Sequence, residues 1–349
     1  MHLANGDSLR RATDQMSPDS DNAAVSALPE RDNISFRRFR GEDDYADVAR
    51  IINAHARGEG DDRVETPEKT AAAYASLDRC DPARDFLFAE IESQAVGYSR
   101  VWWDQEPDGP TIYRQVCFVD PAFGGRGVGS ALLGWNEERL REIATDHDAS
   151  EKLIEAWAND RNAAATALVR GAGYEPVTYA AEMVRPSVED LPEHPLPEGL
   201  EIRPAAEDEL RQIWDADTAA FRDHWGFVEP TGASYERFLS FPYNDLTLWK
   251  IAWDDEGIAG QVRSFIDTAQ NAELGRSRGW TENISTARRW RRRGVAKALI
   301  VESIHELAKR GVTEVALGVH TENPNGAFDL YAELGYEVVG TWTTYRKPL

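Results

Sequence analysis

Trp290-Arg291-Arg292-Arg293-Gly294-Val295-Ala296-Lys297-Ala298-Leu299 joins a strand predicted over residues 279–287 to a helix predicted over residues 295–310. The helix reading rests on Val295, Ala296, Leu299, Ile300, Ile304 and Leu307, which are apolar at a spacing close to one helical turn. Lys309 and Arg310 suit the negative end of the helix dipole, and Gly311 supplies the stop. A small-residue turn at a helix N-terminus leaves backbone N–H groups unpaired and aimed outward. Such a turn binds phosphate or pyrophosphate, with arginines adding charge-assisted hydrogen bonds. Taken alone, the stretch reads as readily as an ordinary strand-to-helix connection. The chain, however, contains the arrangement twice: Phe118-Val119-Asp120-Pro121-Ala122-Phe123-Gly124-Gly125-Arg126-Gly127-Val128-Gly129 also runs from a strand into a helix.

The repetition extends outward from both turns. Glu201-Ile202-Arg203-Pro204 answers Ser35-Phe36-Arg37-Arg38. Gly173-Tyr174-Glu175 and Gly335-Tyr336-Glu337 close the two copies with identical spacing to Pro186 and Pro348. Strands are predicted over 34–39, 86–91, 95–103, 111–119, 152–158 and 179–184, then over 246–253, 258–266, 279–287 and 315–319. Helices are predicted over 43–56, 66–77, 128–143 and 161–170, then over 208–221, 295–310 and from Asn323-Pro324 to Leu334. Asn and Pro there suit the cap and first helical positions. Residues 1–32, polar with little periodicity, read as a disordered leader. Residues 33–186 form the first domain, the Pro-rich stretch 187–199 the linker and residues 200–349 the second. Alternating strands and helices give mixed α/β units.

Arg291-x-x-Gly294-x-Ala296 matches the Q/R-x-x-G-x-G/A signature, and on these residues, their place after a strand and their duplication, the chain resembles the GCN5-related N-acetyltransferase (GNAT) superfamily. The first copy departs from the pattern, with Gly124 where Gln or Arg is expected. The resemblance implies two GNAT-fold domains in tandem, each a mostly antiparallel sheet flanked by helices. It also implies a splayed pair of central strands where acetyl-coenzyme A (acetyl-CoA) lies as co-substrate. Pyrophosphate is then expected on Arg291, Arg292, Arg293, Gly294, Val295, Ala296 and Lys297. The pantetheine arm and the oxyanion are expected on backbone amides around Ala287, Arg288 and Arg289. The same segment in the first copy, Gly124 to Gly129, is a second candidate cofactor turn.

Composition narrows the partners. A net charge of −22 argues against nucleic acid and anionic membrane surfaces, and is compatible with an amine substrate. Two cysteines, Cys80 and Cys117, make neither a disulfide framework nor a metal site, so a reducing, cytoplasmic setting is expected without a metal. No apolar run spans a bilayer and no secretory signal is evident. The oligomeric state is read as monomer or homodimer.

Acyl transfer from a thioester to an amine needs a base, oxyanion donors and a proton or equivalent for the leaving thiolate. Glu282, nine residues before Arg291 and in a strand where glutamate is depleted, is the general-base candidate, directly or through water; the alternative is a surface glutamate. Tyr331, in Asn323…Leu330-Tyr331-x-x-x-Gly335-Tyr336, matches the segment whose tyrosine contacts the coenzyme sulfur in the resembled family. It is the general-acid candidate, and packing against Ala327 and Leu334 is its structural alternative. Asn323 is a coenzyme contact or simply a helix cap. His224, Trp225 and Phe227 fall where the family builds its acceptor pocket. His320 is read as a cap, a solvent-facing residue or part of the cofactor groove. Gapless alignment on the glycine turns places Gln115 opposite Glu282, and alignment on Gly173 and Gly335 places Val169 opposite Tyr331. Neither replacement can move a proton, so chemistry is expected in the C-terminal copy alone, as in tandem members of the superfamily. The leading reading is an N-acetyltransferase acting on a small-molecule primary amine by direct attack in a ternary complex. A non-catalytic acyl-CoA sensor and a protein N-acetyltransferase remain the alternatives.

Overall fold

Short apolar strands alternate with amphipathic helices along the chain. The computed structural model, which describes residues 33–321 and 326–349, assembles the strands into a single twelve-stranded sheet. In chain order these are β1 Ser35–Arg37, β2 Phe86–Ile91, β3 Gln94–Gln105, β4 Thr111–Val119, β5 Lys152–Asn159, β6 Glu175–Arg185, β7 Glu201–Arg203, β8 Lys250–Asp254, β9 Gly257–Phe265, β10 Arg278–Thr286, β11 Glu314–His320 and β12 Glu337–Pro348. The helices are α1 Tyr45–Glu59, α2 Pro67–Tyr74, α3 Pro82–Asp85, α4 Val128–Ala144, α5 Ala163–Gly171, α6 Leu210–Phe221, α7 Gly232–Leu239, α8 Thr268–Leu274, α9 Val295–Lys309 and α10 Ala327–Glu333. The expected leader over 1–32 and Asn323 lie outside the described residues.

Each half repeats one pattern. β1 to β4 pair antiparallel in sequence order and β4 runs parallel to β5; β7 to β10 do the same and β10 runs parallel to β11. The final strand of each half is exchanged. β6 pairs with β11 from Arg185↔Val315 to Ala180↔His320, while β12 pairs with β5 from Asn159↔Trp342 to Leu153↔Pro348. β6 and β12 pair with each other at the centre, giving the order β5-β12-β6-β11. The cores are exchanged with the strands. Ala181 and Met183 of β6 pack in the cluster built on α9, and Tyr345 of β12 packs with Tyr113, Leu140 and Tyr174 of the first half. Nothing in the strand-by-strand reading indicates this, because an exchanged strand has the same alternation as one that stays at home.

α9 buries Val295, Leu299, Ile300, Ile304 and Leu307 against β9 to β11, as its periodicity predicts. Glycines let it come close. A Cβ on Gly260 would stand 2.8 Å from Val295 Cγ1, and one on Gly279 would stand 2.9 Å from Leu307. The sequence reading differs from the structure in a few places. The strand predicted from residue 246 starts at Lys250, because Asp245 accepts the Thr247 N–H and caps a 3-10 turn. α7 and α8, capped by Thr231 and Asp267, have no counterpart in the sequence reading, nor does β12.

Fragments of residues 33–186 and 200–349 are expected to be aggregated when expressed separately and to form one soluble species when co-expressed, measured by size-exclusion chromatography. A lone 200–349 fragment that is monomeric and melts cooperatively would overturn the dependence on β6.

Candidate active site

The parallel ladder between β10 and β11 holds through Arg278↔Glu314, Gly279↔Val315 and Trp280↔Ala316, then stops. On the other side of β10 the pairing to β9 breaks between Glu282 and Ser285, where Asn283 is inserted as a bulge with φ 50°. A bulge leaves a residue outside the ladder and re-aims its neighbours. Thr281, before the bulge, turns under the sheet, and its hydroxyl lies 2.8 Å from that of Tyr336. Glu282 points the other way, into the gap between the parted strands, where its Oε1 accepts the Gly318 N–H at 2.8 Å.

The gap opens into a cleft of about 980 Å³ running from the start of α9 to Tyr331. Gly294, at φ 87°, caps α9 with no heavy atom within 4 Å of where a Cβ would stand, so the front of the turn is open. The predicted arginines divide. Arg291 donates to Asp223 and to the Ala220 carbonyl, at 2.8 and 2.9 Å, and stays on the cleft wall. Arg288 pairs with Asp223, Arg289 with Asp254, and the Arg293 guanidinium lies 5.1 Å from the Trp290 ring; these three do not line the cleft. Arg292, at φ 60°, lines it and has no ion-pair partner among the described residues; Lys297 lines it and pairs with Glu333. The Ala287 amide, expected to face the donor, instead donates to the Ala259 carbonyl at 2.9 Å. Asn283 and Ile284, released from the ladder by the bulge, line the same cleft.

Glu282 and Tyr331 both line the cleft, near enough for the charge of one to act on the other. Burial, with the Glu182 carboxylate adding to it, pushes the Glu282 carboxyl up to about 7 against the pull of the Gly318 and Asn283 amides. Burial and the negative charge of Glu282 push the Tyr331 phenol up, so it stays protonated. His224, Trp225 and Phe227 line this cleft too, with His320, whose ring centre is 6.1 Å from that of Trp225. Burial lowers both histidines, His320 further lowering His224, the direction that favours the neutral rings. Burial raises both cysteine thiols to about 12, the direction that disfavours a thiolate nucleophile.

A second cavity of about 780 Å³ lies on the far side of β10, and Glu182, Trp280, Glu282 and Asn283 belong to both. The sequence reading has no trace of it. Its walls come from the 61–65 loop and α2 of the first half and from α7, β9 and the α7–β8 loop of the second. Glu182 reaches the site only because β6 is exchanged.

The equivalent place in the first half is built differently. β3 and β4 keep unbroken register from Gly97↔Val119 to Gln105↔Thr111, without a bulge. The gapless alignment therefore needs correction by one residue. Gln115 bonds Tyr174 as Thr281 bonds Tyr336, so Val116, not Gln115, stands where Glu282 does. The conclusion about proton transfer is unchanged, since valine has no acid or base function. The turn itself is preserved, Gly127 lying at φ 85°. Across the notch, however, His55 Nδ1 meets the Val119 carbonyl at 3.1 Å, His55 Nε2 meets Glu59 at 3.0 Å, and Asn162 donates to Glu59 at 2.5 Å. This chain of side chains ties the end of β4 to the loop after β5.

A sequence model described as the Acetyltransferase (GNAT) family matches residues 50–174 and 208–336. A mycothiol acetyltransferase of Sanguibacter keddieii is 31% identical over 168 residues, which are 47% of this chain and 50% of that protein, so this match spans half of the relative's length. One of Salinispora tropica is 26% identical over 317 residues, covering 89% of this chain and 95% of the relative. A solved GCN5-related N-acetyltransferase of Sphaerobacter thermophilus superposes with a TM-score of 0.68 at 26% identity, over 92% of this chain and 96% of the other. No helix among the described residues is long and apolar enough to cross a membrane.

The raised carboxyl of Glu282 has a thermodynamic consequence. The folded protein holds this proton up to about 7, while the unfolded chain releases it near 4.5, so stability is lost as pH rises between those values. Glu282→Gln, whose amide oxygen can still accept the Gly318 N–H, is expected to melt higher than wild type at pH 8 and alike at pH 4.5. Thermal melts at the two pH values measure this; equal melting temperatures at both would contradict it.

Proposed function

Because the chain belongs to the Acetyltransferase (GNAT) family and is an acyltransferase, we propose that it transfers the acetyl group of acetyl-CoA to the primary amine of a small molecule, with all chemistry in the C-terminal half. The observation that carries this is the position of Glu282, a carboxyl with a value near neutrality in the wall shared by two cavities. One cavity runs to an open helix N-terminus suited to a pyrophosphate. The other is a concave, ring-lined space in which an acceptor can wait.

The residues present fit the donor. The unpaired amides that begin α9, with Arg292 and Lys297 beside them, hold the phosphates, and the parted strands β10 and β11 admit the pantetheine arm. Acetyl-CoA supplies the acyl group already activated as a thioester. Glu282, or a water bonded to it, takes the proton that the ammonium must lose before nitrogen can attack. The bulge amide at Ile284, on the cleft wall beside Glu282, is the oxyanion donor in this reading, in place of the Ala287 amide. Tyr331 gives its hydroxyl proton to the departing sulfur as the C–S bond breaks. Neutral His224 and His320, with Trp225, form the opposite wall and keep water from the thioester.

Two measurements test the reading. In a coenzyme-release assay with a confirmed acceptor, Glu282→Gln and Tyr331→Phe are each expected to lower kcat by roughly 10²–10⁴-fold. Wild-type kcat/KM is expected to rise about tenfold per pH unit up to a plateau above about 7, the Glu282 value. Losses within a factor of about three for both would refute the assignment, and a protein that binds the thioester without releasing coenzyme would be a sensor. Calorimetric titration of acetyl-CoA is expected to give one site, lost in Gly294→Glu and kept in Gly127→Glu, because the bridge from Val119 to Asn162 closes the other notch. Two sites of similar strength would show that the bridge opens.

A further inference from the structure

The second cavity has a chemistry of its own. Its floor is a run of rings, with Phe265 stacked on Trp280 at 6.0 Å and 6° between planes, Phe241 edge-on to Phe265 at 5.1 Å, and Tyr243 stacked on Phe265 at 6.4 Å. This is not core packing left over, since Phe241 is 39% exposed and the other three rings are only half-buried. An accessible aromatic surface inside a concave site is unusual for a soluble chain unless something covers it.

The charges around these rings are unevenly matched. Lys69 is tied to Asp267 and to the Val64 carbonyl, Arg63 to Glu65, and Arg263 to the buried Asp217. Lys69 and Arg63 are thus paired with carboxylates of the wall and Arg263 with Asp217 behind it, while Arg237 has the neutral Ser76 carbonyl and Ser234 hydroxyl as partners. Two wall carboxylates have no cation paired with them. Asp61 accepts the Arg63 backbone N–H at 2.7 Å and has no ion pair among the described residues, and Glu282 has only backbone donors. Glu182, between them, shares Arg278 with Asp62 and Glu314. The loop carrying Asp61 is fixed in place across the halves. Gln270 donates to the Asp62 carbonyl at 2.8 Å, and Arg276 and Arg278 both pair with the Asp62 side chain.

Resting on the transferase reading above, we propose that this second cavity is the acceptor site, and that it takes a primary amine carried on an aromatic or similarly flat apolar body. The body lies on the Phe241–Phe265–Trp280 rings, and the ammonium sits between Asp61 of the first half and Glu282 of the second. Ring faces attract a cation, and unpaired carboxylates within a low-dielectric pocket attract it more strongly. A polyhydroxylated amine such as an amino sugar would instead need many free polar partners. Of the polar wall residues, Lys69, Arg63 and Gln270 are already bonded to the protein, and the Ser264 hydroxyl and Arg263 Nε are the buried groups left without a partner among the described residues. The N-terminal half thereby acts as the acceptor-selecting wall for chemistry done on the other half.

The test is binding, read apart from turnover. 2-Phenylethylamine and glucosamine are titrated by calorimetry into the intact protein saturated with coenzyme A. Phenylethylamine is expected to bind at least about tenfold more tightly, and Asp61→Asn or Phe241→Ala to weaken it by about three- to tenfold with coenzyme A affinity unchanged. Both side chains lie on accessible surfaces, and unchanged coenzyme A binding certifies that each variant is folded. Tighter glucosamine binding, or amine binding indifferent to both substitutions, overturns the proposal. Phenylethylamine that binds but never triggers coenzyme release from acetyl-CoA would defeat the transferase reading and leave the site standing. Turnover of glucosamine without phenylethylamine binding would do the reverse.

Discussion

The parting of β10 from β11 after Trp280 and Ala316 is the constraint on which the site depends. Two parallel strands that stay paired leave no room for a ligand and no free groups to hold one. Once they separate, the Gly318 N–H on β11 lacks a ladder partner on that side and is satisfied by the Glu282 carboxyl. The bulge at Asn283 makes this possible by turning Glu282 into the gap while Thr281 stays beneath, bonded to Tyr336. α9 then has to start at the mouth of the gap. Gly260 and Gly279 bring the helix close enough to the sheet to fix it there, since a side chain at either would displace Val295 or Leu307.

The two halves show what happens when one of these conditions is withdrawn. β4 and β5 also part, after Arg114↔Glu155, and the glycine turn beyond them keeps its left-handed Gly127. Without a bulge, however, Val116 stands where Glu282 does, and His55, Glu59 and Asn162 bridge the gap. The first half keeps a structural place in the second. It lends β6 to the second half's sheet, Met183 to its core and Glu182 to its site, and receives β12 in return. An exchange of this kind makes the halves inseparable by ordinary drift, because a change in either final strand is felt in both cores.

These facts were unequally legible in the sequence. The turn at Arg291 to Ala296 could be read because a helix N-terminus needs particular small residues at fixed spacing, and the repetition could be read because Gly173-Tyr174-Glu175 and Gly335-Tyr336-Glu337 are local signatures. Most strands were legible from alternation, and β2 and β4 match their predicted limits. Strand exchange was not legible, since partner choice for β6 and β12 depends on contacts far apart in the chain. Nor was the bulge, because Asn283 reads as one more strand residue until its register is known; that is why gapless alignment mistook Gln115 for the counterpart of Glu282. The second cavity was hidden for the same reason, being assembled from the 61–65 loop, Glu182 and Phe241, which nothing in the sequence associates. Nor does a run of arginines reveal that Asp223 and Asp254 already hold the side chains of Arg288 and Arg289.

Glu282 is held between opposing influences. A base works best when its value lies near the ambient pH, so that it is ionised and still has affinity for a proton. Burial and Glu182 raise the Glu282 carboxyl, two backbone amides lower it, and the balance falls at about 7. A free guanidinium beside it would draw the value back into the ordinary carboxylate range and leave a weak base. Arg278 lies on the same strand but is bonded to Glu314 at 2.7 Å, Glu182 at 3.1 Å and Asp62 at 3.2 Å, so its charge is spent on three other carboxylates. Two of those three come from the first half. The N-terminal half therefore contributes to the proton affinity of Glu282, by placing Glu182 where its charge opposes ionisation.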